Sequence, residues 1–283
     1  MTPEEAEDRS LPGLQSSAEI FPAMAHSARV WDYLLGGKDH YPADRKAGDQ
    51  ILSIVPELEG SVRQSRYFLA RAVRYLAGSR GITQFLDIGA GLPAVDSTHE
   101  IAQRAAPGSR VVYADSDPLV TAYARALLTS GPDGACGHIC ADVRDPDDVM
   151  AGAARTLDFT RPVAILLLGV LNFVTSTGEA TAIVRRLLSV VPDGSYLVIC
   201  HPTAEVRARA MTDAVRLWNE QGSAPVTLRT RAELAGFFDG LDLAGPGVVS
   251  CPRWQPDITG LAEMPDVPHF CGVARKSGEA ASA

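Results

Sequence analysis

No apolar run in this 283-residue sequence is long enough to cross a bilayer. The longest, VAILLLGVLNFV (163–174), stops well short of the ~20 residues a spanning helix needs. It reads as a buried strand with its exit loop. Basic charge is also scarce: Lys and Arg number 26 against 34 Asp and Glu, a formal net charge of −8. Broad nucleic-acid binding needs positive charge to displace counterions, so nucleic acid is not expected as a partner. Nothing like a secretory leader opens the chain, since MTPEEAEDRS is acidic where a signal peptide is basic and then apolar. Cysteine is sparse and odd in number: Cys136, Cys140, Cys200, Cys251 and Cys271. Without a paired framework they point to a reducing, cytoplasmic setting. Cys136 and Cys140 have a metal-like spacing, but no second Cys/His pair completes a ligand set. No metal is expected, and the two are read as small apolar packing.

What is present is an alternation of strands and helices. Residues 1–20 and the tail KSGEAASA (276–283) are polar, lack periodicity and are expected to be disordered. Residues 21–80 read as a helical cap or lid. Within it SARVWDYLLGG (27–37) ends at two glycines, and SVRQSRYFLARAVRYLAG (61–78) carries Phe68, Leu69, Ala72, Val73 and Leu76 on one face. From residue 81 to 275 the pattern is that of a single binding domain. QFLDI, RVVYAD, HICAD, VAILLLG and SYLVICH are strands. Between them lie helices that start at Ser97, Asp117, Asp145 and Ser176. A further helix spans 203–222. Two late segments, LDLAGPGVVSC and HFCGVARK, suit an antiparallel pair joined by a long loop. Alternation of this kind gives an α/β fold with a doubly wound, mostly parallel sheet.

The first strand ends in FLDIGAGLP (85–93), and GAGLPA fits the dinucleotide fingerprint G-x-G-x-x-A. In a dinucleotide fold the helix begins at the glycines, so that its amides hold the pyrophosphate. Here Pro93 and Asp96 intervene, and the capping box Ser97/Glu100 sets the helix start several residues later. That spacing suits a nucleoside without phosphates. Asp87 either binds loop amides or accepts from a cationic ammonium group. Asp115, closing the second strand, has two acceptor oxygens for the hydroxyls of a ribose. Asp142, with Val143 beside it, ends the third strand and is suited to an adenine amino group. Its other reading is a turn residue. Gly89, Gly91, Asp115 and Asp142, taken in chain order, describe a methionine–ribose–adenine ligand.

On these residues the sequence resembles class I S-adenosylmethionine-dependent methyltransferases. More closely it resembles the actinobacterial family catalogued as DUF574. The resemblance covers about 25–275 and rests on ARVWDYLLGGKDHYPADR, RYFLARAVRYLA, FLDIGAGLP, VVYADSDPLVTAYARALL and ADVRDP, with the late RAELAGFFDGLDL and PGVVSCPRW. It implies a Rossmann-like sheet of seven strands, six parallel and the last antiparallel, under an N-terminal helical cap. It also implies S-adenosylmethionine as cofactor, S-adenosylhomocysteine as product and a small-molecule acceptor. The implied cofactor ligands are Gly89, Gly91, Asp115 and Asp142. One departure is Asn172, which stands where the resemblance leads one to expect His. An amide does not titrate near neutral pH and cannot replace a histidine base.

Three residues are the candidates for catalysis. His201 closes the fifth strand on the rim where open α/β sheets bind ligands. Tyr33 and His40 lie in WDYLLGGKDHYPADR (31–45), read as a lid segment together with Asp39 and Tyr41. Trp31 is assigned to the core. His26, His99, His138 and His269 are assigned to structural or surface roles. Arg66 and Arg71 are read as surface or ion-pair residues, with one of them open to a ligand carboxylate. The leading reading is methyl transfer to a small molecule. A cofactor-binding protein without transfer activity and an NAD(P)-dependent oxidoreductase are the alternatives.

Overall fold

A computed structural model describes residues 24–94, 96–222, 224–256 and 264–278. The chain begins with three helices: α1 (Ser27–Leu34), α2 (Pro42–Ile54) and α3 (Leu58–Arg74). Residues 75–79 continue α3 as a π-turn. The alternating region then runs β1 (Gln84–Ile88), α4 (Thr98–Ala105), β2 (Arg110–Asp115), α5 (Pro118–Leu127), β3 (Ala135–Cys140), α6 (Pro146–Ala153), β4 (Ala164–Leu168), α7 (Thr177–Val190) and β5 (Tyr196–Pro202). It closes with α8 (Ala208–Gln221), α9 (Arg231–Gly236), β6 (Asp242–Leu243), β7 (Val249–Ser250) and β8 (His269–Arg275).

The described strands make one sheet in the order β3-β2-β1-β4-β5-β8-β6, with β7 also on β8. β1 to β5 pair in parallel. β8 runs antiparallel to β5 on one edge and to both β6 and β7 on the other. The two short segments therefore share one strand position. Six positions are parallel and the last strand is antiparallel, as the resemblance implies. The late segments pair as expected.

The sheet is covered on both faces, which is why β4 (AILLL) reads as an unbroken apolar run. Alternate residues serve opposite sides. Leu86, Ile88, Ile165 and Leu167 pack with α6 and α7 through Val149, Ile183 and Leu187. Phe85, Ala164 and Leu166 pack with α3 through Phe68 and Leu69, and with the π-turn that follows it through Leu76. Each such side chain contributes about 1.5–3 kcal/mol on burial. A third apolar cluster lies outside the sheet. In it Val30, Leu34, Ile51 and Val62 of the first three helices meet Met211 and Trp218 of α8.

Three local readings change. Helix α8 starts at Ala208 and not at 203, because Arg207 takes a left-handed conformation, φ 57°, that no helix continues. β3 ends at Cys140, so Asp142 sits in the loop beyond it. Lys276 is fixed and not part of a loose tail: its Nζ donates to Leu188 O and Val191 O at 3.0 and 2.8 Å. These two acceptors lie at the end of α7 and just past it, where a cation satisfies free carbonyls. The disorder expected for 1–20, and for the tail from 279 onward, concerns residues outside the described ones.

Candidate functional site

The strand order reverses direction between β1 and β4, and in such sheets the crevice at the carboxyl ends of the strands is where ligands bind. A cavity of about 380 Å³ opens there. Asp87, Gly89, Gly91, Asp115, Asp142 and Val143 all line it. The six residues expected to hold the cofactor are thus brought to one wall.

Each is positioned by an identifiable contact. Asp87 is buried and accepts from Thr98 Oγ1, in the first turn of α4, at 2.6 Å. Burial raises its carboxyl above the usual range. Asp115 accepts the Gly91 and Asp117 amides at 2.9 and 3.0 Å. Burial raises its pKa too, and the two amides pull it back. A carboxylate has about four lone-pair sites, so both oxygens of Asp115 keep acceptor capacity toward the cavity. Asp142 is more open. It caps its own turn through Arg144 N at 2.8 Å and meets the Arg144 guanidinium at 3.3 Å.

The two glycines of the loop do different things. Both have positive φ, 73° at Gly89 and 67° at Gly91, a region where side chains are strained. A Cβ on Gly89 would come within 2.5 Å of the Val170 side chain, whereas one on Gly91 would meet nothing within 4 Å. Gly89 therefore answers to packing against the loop after β4. Gly91 leaves open space in front of the chain, as a ligand approaching the backbone needs. Helix α4 starts only at Thr98, and Glu100 Oε2 accepts the Ser97 amide at 2.8 Å. Its first turn is capped from within the chain and is set back from the glycines, which does not fit a bound pyrophosphate.

None of the three residues expected to carry catalysis lines the cavity. His201 is 1% exposed and uses both ring nitrogens. Nδ1 lies 2.8 Å from Pro202 O, and Nε2 accepts from Arg229 Nη1 at 2.7 Å. Burial lowers its pKa to about 4, so it is a neutral structural group. Tyr33 donates to Asp49 Oδ1 at 2.5 Å and covers Gly48 of α2, a contact within the cap. His40 Nδ1 lies 2.8 Å from Asp32, which also accepts the Asp39 amide. Tyr41 lies under the Arg29 guanidinium, 5.1 Å from its centre. The polar groups of the 31–45 segment are thus braced within the cap, and α1 meets the cavity through Val30, Trp31 and Leu34 instead. Sequence spacing signals that a loop is polar and constrained, but not which way its groups point.

The cavity wall holds residues assigned other roles from sequence. Trp31 lines it, edge-on to His269 with ring centres 5.9 Å apart. His269 is 3% exposed and also lines it, with Nδ1 2.5 Å from Ser61 Oγ. Burial lowers its pKa to about 3, so the ring is neutral. Arg66 reaches the cavity from α3, and burial is the main influence on its pKa, with Asp87 acting against it. Arg71, by contrast, is buried and donates to Trp254 O and Cys251 O at 3.0 and 2.7 Å. No cluster of His, Cys, Asp and Glu suited to a metal occurs among the described residues.

Comparison with known proteins agrees with this geometry. The sequence model of the S-adenosyl methyltransferase family matches residues 14–277. A DUF574 family protein from Streptomyces avermitilis MA-4680 is 43% identical, with a TM-score of 0.85 over 89% of this chain and 98% of its own. A protein from Thermobifida fusca YX is 37% identical, with a TM-score of 0.81 over 90% and 96%. The plantazolicin methyltransferase BpumL, solved with S-adenosylhomocysteine, shares the fold at 12% identity and a TM-score of 0.51, over 89% and 96%. No curated protein matches. With a match of this extent and relatives similar over nearly their whole length, the chain belongs to the S-adenosyl methyltransferase family and is an S-adenosylmethionine-dependent methyltransferase.

Proposed function

We propose that the β1–β3 edge holds S-adenosylmethionine residue by residue, and that a small-molecule acceptor enters under the N-terminal helices. The observation that carries this reading is the single cavity shared by Asp87, Gly91, Asp115 and Asp142 with Arg66, Trp31 and His269. Asp115 takes the ribose hydroxyls, and Asp142 with Val143 takes the adenine. Asp87 faces the cofactor ammonium and Arg66 its carboxylate, an arrangement of opposite charges suited to an amino acid end.

The cofactor, when bound, supplies a methyl group already activated on a sulfonium. The protein's task is then to align the acceptor and exclude water. The cap and α8 do the second together, through the apolar side chains of α1 and α8. His269, neutral and backed by Ser61, orients a proton-bearing group of the acceptor. With a pKa near 3 it is too weak a base to remove a proton from an alcohol outright. A reducing, cytoplasmic setting completes the reading. It is supported by the five cysteines being free, Cys200 and Cys251 among them with sulfurs 3.4 Å apart.

Calorimetric titration of the full chain tests the assignment. S-adenosylhomocysteine and methylthioadenosine, which lacks the amino acid end, are compared in wild type and Arg66→Met. Loss of affinity of about tenfold for the first and none for the second is expected from one charge-assisted contact. Equal loss for both would remove Arg66 from the carboxylate end.

A further inference from the structure

His269 holds a polar atom that is both open to the cavity and unpartnered. The residue begins β8, lines the cavity and is 3% exposed. Its Nδ1 is taken by Ser61 Oγ at 2.5 Å, and its Nε2 has no hydrogen-bond partner among the described residues. Among those residues His26 Nδ1 and Asn172 Oδ1 are unpartnered but sealed from any open space, and His269 Nε2 is not sealed in this way. Nε2 therefore keeps its surface on the cavity that the residue lines. Trp31, edge-on with ring centres 5.9 Å apart, holds the imidazole from the side.

Ser61 decides which ring nitrogen carries the proton. It lies on α3 with no exposed surface, and its hydroxyl has one hydrogen-bond partner among the described residues, His269 Nδ1. Were the proton on Nδ1, that N–H would donate to Oγ and the hydroxyl hydrogen would be buried without an acceptor. Such a group is costly, and native structures leave few of them. With the hydroxyl donating, Nδ1 accepts, and the single proton of the neutral ring sits on Nε2. Burial keeps the ring neutral. The cavity is thus offered an N–H group and not a lone pair.

That N–H stands apart from the cofactor wall. The acids and glycines of the cofactor reading follow β1, β2 and β3, whereas His269 pairs with Pro202 of β5, across the reversal between β1 and β4. We infer that Nε2–H of His269, fixed by Ser61 as its positioning residue, is a hydrogen-bond donor to the methyl acceptor, which presents a lone pair to it as a hydroxyl or carbonyl oxygen does and is not bound there as an ammonium. The inference rests on the cofactor reading above and adds the class of acceptor. A hydroxyl held this way accepts through its oxygen and keeps its own hydrogen free to point elsewhere. An ammonium has three donors and no lone pair, so it would set N–H against N–H.

The test reads the proton directly. The full chain, isotope-labelled in its histidine nitrogens, is studied without ligand by long-range proton–nitrogen correlation spectra. The His269 signals are identified by their loss in His269→Phe or His269→Gln. In wild type Nε2 is expected in the protonated form and Nδ1 in the unprotonated form. The reverse pattern overturns the inference. Ser61→Ala removes the donor to Nδ1 and should mix the two tautomers, a signature that lost packing alone does not produce. An unchanged pattern in a folded Ser61→Ala chain overturns the positioning role of Ser61. The chain is then saturated with S-adenosylhomocysteine and titrated with benzyl alcohol, toluene and benzylammonium. Benzyl alcohol should move the Nε2 signal, and benzylammonium should not. In His269→Phe the alcohol should lose about tenfold in affinity, the worth of one buried hydrogen bond, while toluene loses none. Equal losses for alcohol and toluene, an Nε2 signal that benzyl alcohol leaves in place, or one that benzylammonium moves as far, overturns the acceptor class. Failure of S-adenosylhomocysteine to bind strikes the cofactor reading alone, since the tautomer is read without it.

Discussion

Asp115 Oδ2 accepts the Gly91 amide at 2.9 Å, so the loop leaving β1 is latched to the end of β2. The same carboxylate is the proposed ribose acceptor. Replacing it removes both the latch and the acceptor. Asp115→Ala is expected to weaken S-adenosylhomocysteine binding by about 1–3 kcal/mol, the worth of lost hydrogen bonds to a charged group. Calorimetry reads this directly, and unchanged affinity would end the ribose assignment.

The two glycines separate by their surroundings. Gly89→Ala strains a positive-φ residue and drives a methyl group into Val170. The expected cost to folding is roughly 2–4 kcal/mol, seen as a lower denaturation midpoint. Val170→Ala in the same chain should recover part of it. Gly91→Ala meets no neighbour. It should cost only about 1–2 kcal/mol in stability from backbone strain, while affinity for the cofactor falls.

Stability should decline in mild acid. His201 and His269 titrate near 4 and 3 in the folded chain, mainly through burial, against a usual 6.5. Between those values the unfolded chain binds more protons, so stability rises with pH there and is lost as pH falls from 6.5. Each contributes on the order of 3 kcal/mol across its full window. Asp87 and Asp115 act in the opposite direction, because their raised pKa lets the folded state take up protons first. Melting temperature measured from pH 7 to pH 4 should fall. Its slope should lessen in His201→Asn, a variant that does not titrate.

A buried ion pair holds the cap together. Asp44 is fully buried and accepts from Arg29 Nε at 2.8 Å, from the residue 26 amide at 2.9 Å and from Tyr41 N at 2.8 Å. It ties the start of α1 to the start of α2. Asp44→Ala leaves the Arg29 cation buried without this carboxylate, a loss of about 3–5 kcal/mol. The expected result is earlier unfolding of residues 24–55, measured by hydrogen exchange, with weaker cofactor retention. Exchange at wild-type rates in that segment would show the pair to be dispensable.

Much of the cavity's strand-edge lining is legible in the sequence. Asp87, Gly91 and Asp115 were recognisable because each sits at the end of an apolar strand, and in a parallel sheet those ends share one edge. Asp142 shares that edge too, although β3 stops two residues earlier. The apolar side of the cavity is not legible there. Trp31, Met211 and Trp218 follow helical spacing, which looks the same for a residue facing a core and one facing a cavity. His269 carries no local signal, since Ser61, its partner, lies 208 residues away. His201 stands at the expected rim, but Arg229 fills its free nitrogen.

The sequence by itself determined the α/β alternation, the seven strand positions, the phosphate-free glycine loop and the acids that follow the first three strands. These depend on periodicity, capping and chain order, which are local or nearly so. Only the tertiary structure decided which polar groups satisfy one another and which are left facing open space. That choice turns on contacts between residues far apart in the chain, such as Arg71 with Cys251 or Arg229 with His201. Pairing removes a side chain from chemistry, and it can be read only once the partners have met.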